Sequence, residues 1–215
     1  MSEGRLIIGT RRYSSWSLRG WLVVRLARLD VTEELIPIAG GRTAAISAAT
    51  PAGLVPYLEH RDARVWESLA IGEYCAELEP ALWPADRIVR ARARSIAAEM
   101  HASFRALRIA MPMNCGRENR PLAGGIPPDV AADLARIEAI WAAAEGPYLF
   151  GDDFTVADAM FAPVVSRLIS YAVPMQGASL AYRDAVRAHP LMVEWYQAAA
   201  AEPDAWLLPG YEGVA

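Results

Sequence analysis

The segment RRYSSWSLRGW, Arg11 to Trp21, sets three serines and two tryptophans where a short strand turns into a helix. A serine at such a junction has two chemical uses. Its oxygen can accept from one of the first backbone N–H groups of the helix, which have no partner within it, so Ser14, Ser15 or Ser17 can each be a cap. Its O–H can also donate to an anion held at the helix end, where the backbone dipole adds attraction. Neither use makes the serine a covalent nucleophile, because the sequence offers no His/Asp motif to serve as its base. The three histidines, His60, His101 and His189, are far apart and form no H-E-x-x-H arrangement, so no metal is expected.

The elements that must carry these serines are legible on either side. RLIIG is a brief apolar run ending in Gly9 and reads as a buried strand. Leu18, Leu22, Leu26 and Leu29 then recur at helical spacing, with Trp21 and Val24 beside them and Arg25 and Arg28 on a polar face. EELIPIA suggests a second strand, and GRTAAISAAT a short helical or irregular piece closed by Pro51 and Gly53. LVPYLEH and ARVWES suit an antiparallel hairpin across RDA, and a helix restarts at Ser68. The order is β-α-β-α-β-β-α. Beyond the prolines of EPALWPAD the strand signals stop, and an all-helical region begins near Asp86. Helices are expected from Arg87 to about Ala110, from Pro127-Pro128 to about Glu145, through GDDFTVADAMFAPVVSRLISY, and near 179–187 and 190–201.

Composition narrows the function class. With 215 residues, 54% of them hydrophobic, the chain can bury a large core in one large or two small domains. A formal net charge of −4 gives no general attraction to nucleic acid. Cys75 and Cys115 form no C-x-x-C pair, which suits a reducing cytoplasm and excludes a disulfide framework. Arg5, Arg11 and Arg12 interrupt the first apolar residues, and no apolar run reaches 18, so neither a signal peptide nor a membrane span is expected.

A small α/β domain, a proline-marked linker and a helical domain, in that order, resemble the cytosolic glutathione transferase superfamily across nearly the whole chain. SSWSLR at 14–19 is similar to the Ser-Ser-Cys-Ser motif of the zeta class, the maleylacetoacetate isomerase-like members, with Trp16 where that class has cysteine. Val55-Pro56 in GLVPYLE matches the family's cis-proline turn, and Glu67-Ser68 in WESLAI its acid/amide-Ser pair. FTVADAMFAP matches the capping element of a buried helix. The resemblance implies a thioredoxin-like glutathione-binding domain at 1–80, a linker at 81–86 and an all-helical electrophile-binding domain at 87–215. It further implies a homodimer that pairs the first domain of one subunit with the helical domain of the other.

Glutathione, the co-substrate so implied, offers a γ-glutamyl carboxylate and ammonium, a thiol and a glycyl carboxylate. Ser68 at a helix start can meet the first with its hydroxyl and backbone N–H groups, and Glu67 the second. The residue before Pro56 pairs its backbone with the cysteinyl part, and Arg42 is a candidate for the glycyl carboxylate. A free thiol has a pKa near about 8.5, and lowering it to roughly 6.5 takes about 2.7 kcal/mol. A hydroxyl donating to the sulfur contributes roughly 1.5–3 kcal/mol and a helix start roughly 0.3–2, so Ser14 or Ser15 suffices without a base. The zeta-type match favours Ser14. Aligning Arg19 with the arginine of other serine-using classes favours Ser15.

Met111, Met113 and Asn114 in RIAMPMNCGR are placed by the same comparison beside the thiol, as contacts for a small apolar electrophile. The arginine that zeta isomerases hold for a substrate carboxylate corresponds to Ser170, with Arg167 one turn earlier. Conjugation, cis-trans isomerisation and dehalogenation stay open, as does a non-catalytic binding protein on the same fold. Thr155-x-x-Asp158 reads as a capping box, with Phe154 as a staple toward Ala159, and belongs to folding rather than to the site.

Overall fold

The computed structural model describes residues 2–213. Its first part runs β1 (Gly4–Gly9), α1 (Ser15–Leu26), β2 (Thr32–Ile36), α2 (Ala44–Ala49), β3 (Tyr57–His60), β4 (Ala63–Trp66) and α3 (Ser68–Leu78). The sheet order is β2-β1-β3-β4, with β1 parallel to β2 and antiparallel to β3. The central strand has Leu6, Ile7 and Ile8 all buried, as expected of a strand covered on both faces. β2 stops at Ile36, short of the EELIPIA run. Pro37 follows, and its missing N–H cannot continue a ladder. Helix α1 begins at Ser15 and ends at Leu26, before Arg28 turns left-handed at φ 54°.

After a 3-10 turn at Pro80–Leu82 the rest is helical: α4 (Arg87–Ala102), α5 (Arg105–Ala110), α6 (Pro128–Trp141), α7 (Val156–Ser170), α8 (Gly177–Ala188), α9 (Pro190–Ala200) and, past a second 3-10 turn, α10 (Pro209–Glu212). The single helix expected from Arg87 to Ala110 is two, because the chain breaks at Ser103 and Phe104 takes φ 62°. α7 is the hub. All of its residues but Ile169 are buried, and it packs on α1, α4 and α8.

The start of α7 explains how the two halves of the helical region are joined. The Asp158 carboxylate accepts from Thr155 N (2.8 Å), Thr155 Oγ1 (2.9 Å), Leu149 N (3.0 Å) and the Tyr182 hydroxyl (3.1 Å), tying α7 to the preceding loop and to α8. Burial pushes this carboxyl up, and the four donors oppose the shift. Phe154 packs on Tyr148 and His189. Asp158→Ala strands several buried donors at once and is expected to cost about 3 kcal/mol or more in urea unfolding. A loss under about 1 kcal/mol would show that these donors find other partners.

Candidate active site

The serine turn is built where β1 ends. Gly9 N donates to Ser17 Oγ (2.9 Å), and Ser14 N donates to Thr10 O (2.9 Å), so the first turn of α1 is tied to the strand that feeds it. Gly9 has to be a glycine, since a Cβ there would lie 2.5 Å from the Ile38 side chain and 3.1 Å from that of Val55. Ser14 spends its hydroxyl on the helix: Oγ accepts from Ser17 N (3.3 Å) and donates to Ser17 Oγ (2.8 Å). Ser15 differs. It is the first residue of α1, its oxygen makes no hydrogen bond among the described residues, and it lines a cavity of about 330 Å³ with Tyr13, Ser14 and Trp16.

A second cavity of about 200 Å³ shares Trp16, Leu54 and Val55 with the first, so the two are halves of one cleft. Its floor is the Val55-Pro56 turn, whose peptide bond is cis. Gly20 of α1 makes room for the proline ring, which a Cβ would meet at 2.7 Å. Its far wall is Glu67-Ser68. Glu67 holds a left-handed backbone, φ 68°, a conformation that costs a non-glycine residue roughly 1–3 kcal/mol and is kept by its surroundings. α3 starts at Ser68 with no side-chain cap, and the Ser68 hydroxyl is sealed in with no hydrogen-bond partner among the described residues. A buried orphan beside free helix N–H groups is an arrangement that accepts an anion.

The helical region supplies the other wall of the larger cavity through Arg108, Pro112, Met113, Arg167 and Tyr211. The Trp16 ring has two guanidiniums against it, Arg19 at 4.7 Å and Arg108 at 5.0 Å, with the His101 ring at 5.2 Å. Tyr13 is committed elsewhere. Its hydroxyl donates to Glu212 (2.6 Å) and accepts from Leu208 N (3.2 Å), and burial with the Glu212 contact pushes it up to about 12.

Ser14, Ser15, Trp16 and Val55 thus meet in the larger half, and Trp16, Val55, Pro56, Glu67 and Ser68 in the smaller. Three expected residues do not line the cleft. Met111 is a core side chain, Asn114 is fully buried with its amide on Glu212 (3.0 Å), and Arg42 is exposed. Sequence reasoning missed Arg108, which looks like any other arginine of an arginine-rich segment, and Tyr211, whose short helix gives no periodic signal. Arg167, which the sequence set one turn before the Ser170 position, does line the larger cavity, and its signal is that it is the lone cation of α7.

Two family models match the chain: glutathione S-transferase, N-terminal domain, over residues 13–78, and glutathione S-transferase, C-terminal domain, over residues 126–198. Together they span well over half of it, and the chain belongs to the glutathione transferase superfamily of enzymes. Among solved structures it is similar to a glutathione transferase homolog from Burkholderia BGR1 with bound glutathione, at TM-score 0.70 and 24% identity over 94% of this chain and 100% of that one. It is similar also to the theta class enzyme of the citrus canker pathogen Xanthomonas axonopodis pv. citri with glutathione bound, at TM-score 0.68 and 24% identity over 94% and 99%. A glutathione S-transferase from the Antarctic clam Laternula elliptica gives TM-score 0.70 and 20% identity over 95% and 97%. At these identities the likeness bears on the fold. No curated protein matches the sequence.

The hydroxyls of the cleft differ in what they do for the fold, and this is measurable. Ser14→Ala removes a cap and is expected to cost about 0.5–2 kcal/mol in stability. Ser15→Ala and Ser68→Ala remove hydroxyls that bond nothing and are expected to be neutral within about 0.5 kcal/mol, or stabilising. Thermal unfolding that ranks Ser68→Ala or Ser15→Ala as the most damaging of the three would contradict this assignment.

Proposed function

We propose that the protein is a serine-type glutathione transferase with a zeta-like serine motif, and that it activates the glutathione thiol with Ser15 rather than with Ser14, which the zeta-type match favours. The observation that carries this reading is the Ser15 hydroxyl, which has no hydrogen-bond partner among the described residues in a residue that lines the cleft, while the neighbouring Ser14 hydroxyl is used in both directions by Ser17. The γ-glutamyl carboxylate takes Ser68 and the uncapped N-terminus of α3, Glu67 takes the ammonium, and the backbone of Val55 pairs with the cysteinyl unit. This reading is supported by the orphan hydroxyl of Ser68 and by the shared lining that joins the two cavities. Bound so, the peptide brings its sulfur to the start of α1. The Ser15 O–H donates to the developing thiolate, and the helix dipole adds to it. Ser15 remains uncharged throughout, and the thiol proton leaves to solvent.

Tyr13 is not the donor in this scheme, since its O–H is already given to Glu212. A homodimer in the cytoplasm completes the proposal, with the buried thiols of Cys75 and Cys115 consistent with a reducing compartment.

Titration of thiolate absorbance in the glutathione complex tests the choice of donor. Ser15→Ala is expected to raise the bound thiol pKa by about 1–2, equivalent to one hydrogen bond to an anion, and to lower kcat/KM at neutral pH about tenfold or more. Ser14→Ala and Tyr13→Phe are expected to leave that pKa within about 0.5 of its value. In calorimetry, Ser68→Ala should weaken glutathione by about 1–3 kcal/mol without moving the thiol pKa. A folded Ser15→Ala variant with an unchanged thiol pKa would refute the proposed donor.

A further inference from the structure

His101 does not line the cleft, yet it touches two residues that do. It stands in the last turn of α4, its ring meets the Trp16 ring edge to face, and its Nε2 lies 3.7 Å from Glu67 Oε2. That separation is an electrostatic contact, longer than a hydrogen bond. The Glu67 carboxylate has His101 as its ion-pair partner, and the proposed reaction gives the imidazole nothing to do.

The two ring nitrogens differ in their surroundings. Nε2 is beside the half-exposed carboxylate, whereas Nδ1 is sealed in with no hydrogen-bond partner among the described residues. A neutral ring with its proton on Nε2 leaves only an acceptor unpaired at Nδ1. An imidazolium would bury an N–H there with nothing to receive it, and a charge with it. The charges that face the ring come from three elements: Arg19 of α1, Arg108 of α5 and Glu67 just ahead of α3. Burial, and then Arg19, draw the imidazole below its ordinary value, while Glu67 opposes them and Arg108 adds to the lowering. His101 is therefore neutral at neutral pH and gains its second proton in weak acid.

We infer that His101 is a positioning residue that governs the hold on the amino group of glutathione: while neutral it leaves the Glu67 carboxylate to the γ-glutamyl ammonium, and once protonated it takes that carboxylate for itself. The inference rests on the reading above, which gives the ammonium to Glu67, and it adds to that end of the cleft a residue from the helical region. The sign of the effect follows from linkage. A bound ammonium disfavours the imidazolium, so binding expels the His101 proton. Affinity is complete above the His101 pKa of the free protein and falls as the pH drops through it.

The test is calorimetric binding of S-methylglutathione between about pH 7.5 and about pH 5, beside the analogue in which a glutaryl group replaces γ-glutamyl and only the amino group is lost. Affinity for S-methylglutathione is expected to fall about threefold or more toward acid, since a unit charge at about 4 Å in water is worth about fivefold once protonation is complete. Affinity for the analogue should change by less than about twofold. His101→Gln, which cannot take the proton, should hold S-methylglutathione within about twofold of one value across the range. Circular dichroism checks that it folds, and the comparison of the two ligands on the unaltered protein stands without it.

An affinity for S-methylglutathione that ignores pH, an equal fall for the analogue, or a fall that persists in folded His101→Gln would overturn the inference. The reading on which it rests fails differently. A protein that does not prefer S-methylglutathione to the analogue at neutral pH, or a preference that survives Glu67→Gln, removes the ammonium site and the inference with it. A preference that Glu67→Gln abolishes but pH leaves untouched keeps Glu67 in its role and excludes His101 alone.

Discussion

The carboxylate of Glu202 accepts from the backbone N–H groups of Arg11 (2.5 Å) and Arg12 (3.1 Å), the two residues that lead into the serine turn. Those N–H groups have left the β1 ladder and not yet entered α1, and without Glu202 they would be buried donors in need of a partner. The same turn is gripped by Trp195, whose indole N–H donates to Arg11 O (3.1 Å), and by Cys115, whose backbone N–H donates to Arg12 O (2.9 Å). Groups about 100 to 190 positions away thus hold the backbone from which Ser14 and Ser15 project. A helix start can present one hydroxyl to a ligand and use its neighbour as a cap only if that turn cannot rotate.

Within the fixed turn, the geometry divides labour between adjacent residues. Ser14 precedes the helix, with an extended-side ψ of 88°, so its oxygen folds back onto Ser17. Ser15 is already helical, lines the cleft, and has no hydrogen bond at its oxygen among the described residues. Trp16 faces the seam, where Arg19 and Arg108 cover its ring and thereby lean the helical region against α1. The chemistry proposed for the cleft, an anionic sulfur meeting a second reactant, would therefore take place beside charges that the fold itself has buried. Arg19 illustrates the cost: its Nε reaches α7 at Met160 O, but the rest of its guanidinium has only the indole face for company.

Much of this was readable from local pattern. The order β-α-β-α-β-β-α, the start of α7 and the serine turn each follow from short-range signals: apolar periodicity, prolines, and small polar residues at helix starts. What escaped was set by distance or by backbone. Nothing in the residues around Phe104 announces a left-handed conformation, so the α4–α5 break was invisible. The end of β2 is different, since Pro37 stands inside EELIPIA and the missing N–H that stops the strand was there to be read. The links of Glu202 to Arg11 and of Glu212 to Tyr13 join the two ends of the chain, and only the folded structure brings them together. The proposed preference for Ser15 over Ser14 rests on the two hydrogen bonds between Ser14 Oγ and Ser17, a side-chain geometry that residue types alone leave undetermined.

The account turns on where the sulfur of glutathione sits, and a crystal structure of the glutathione complex measures that directly. The prediction is a sulfur within about 3.5 Å of Ser15 Oγ, with Ser14 Oγ still bonded to Ser17 and the γ-glutamyl carboxylate on Ser68. A sulfur on the hydroxyl of Ser14 or Tyr13, or a γ-glutamyl carboxylate bound away from Ser68, would contradict it.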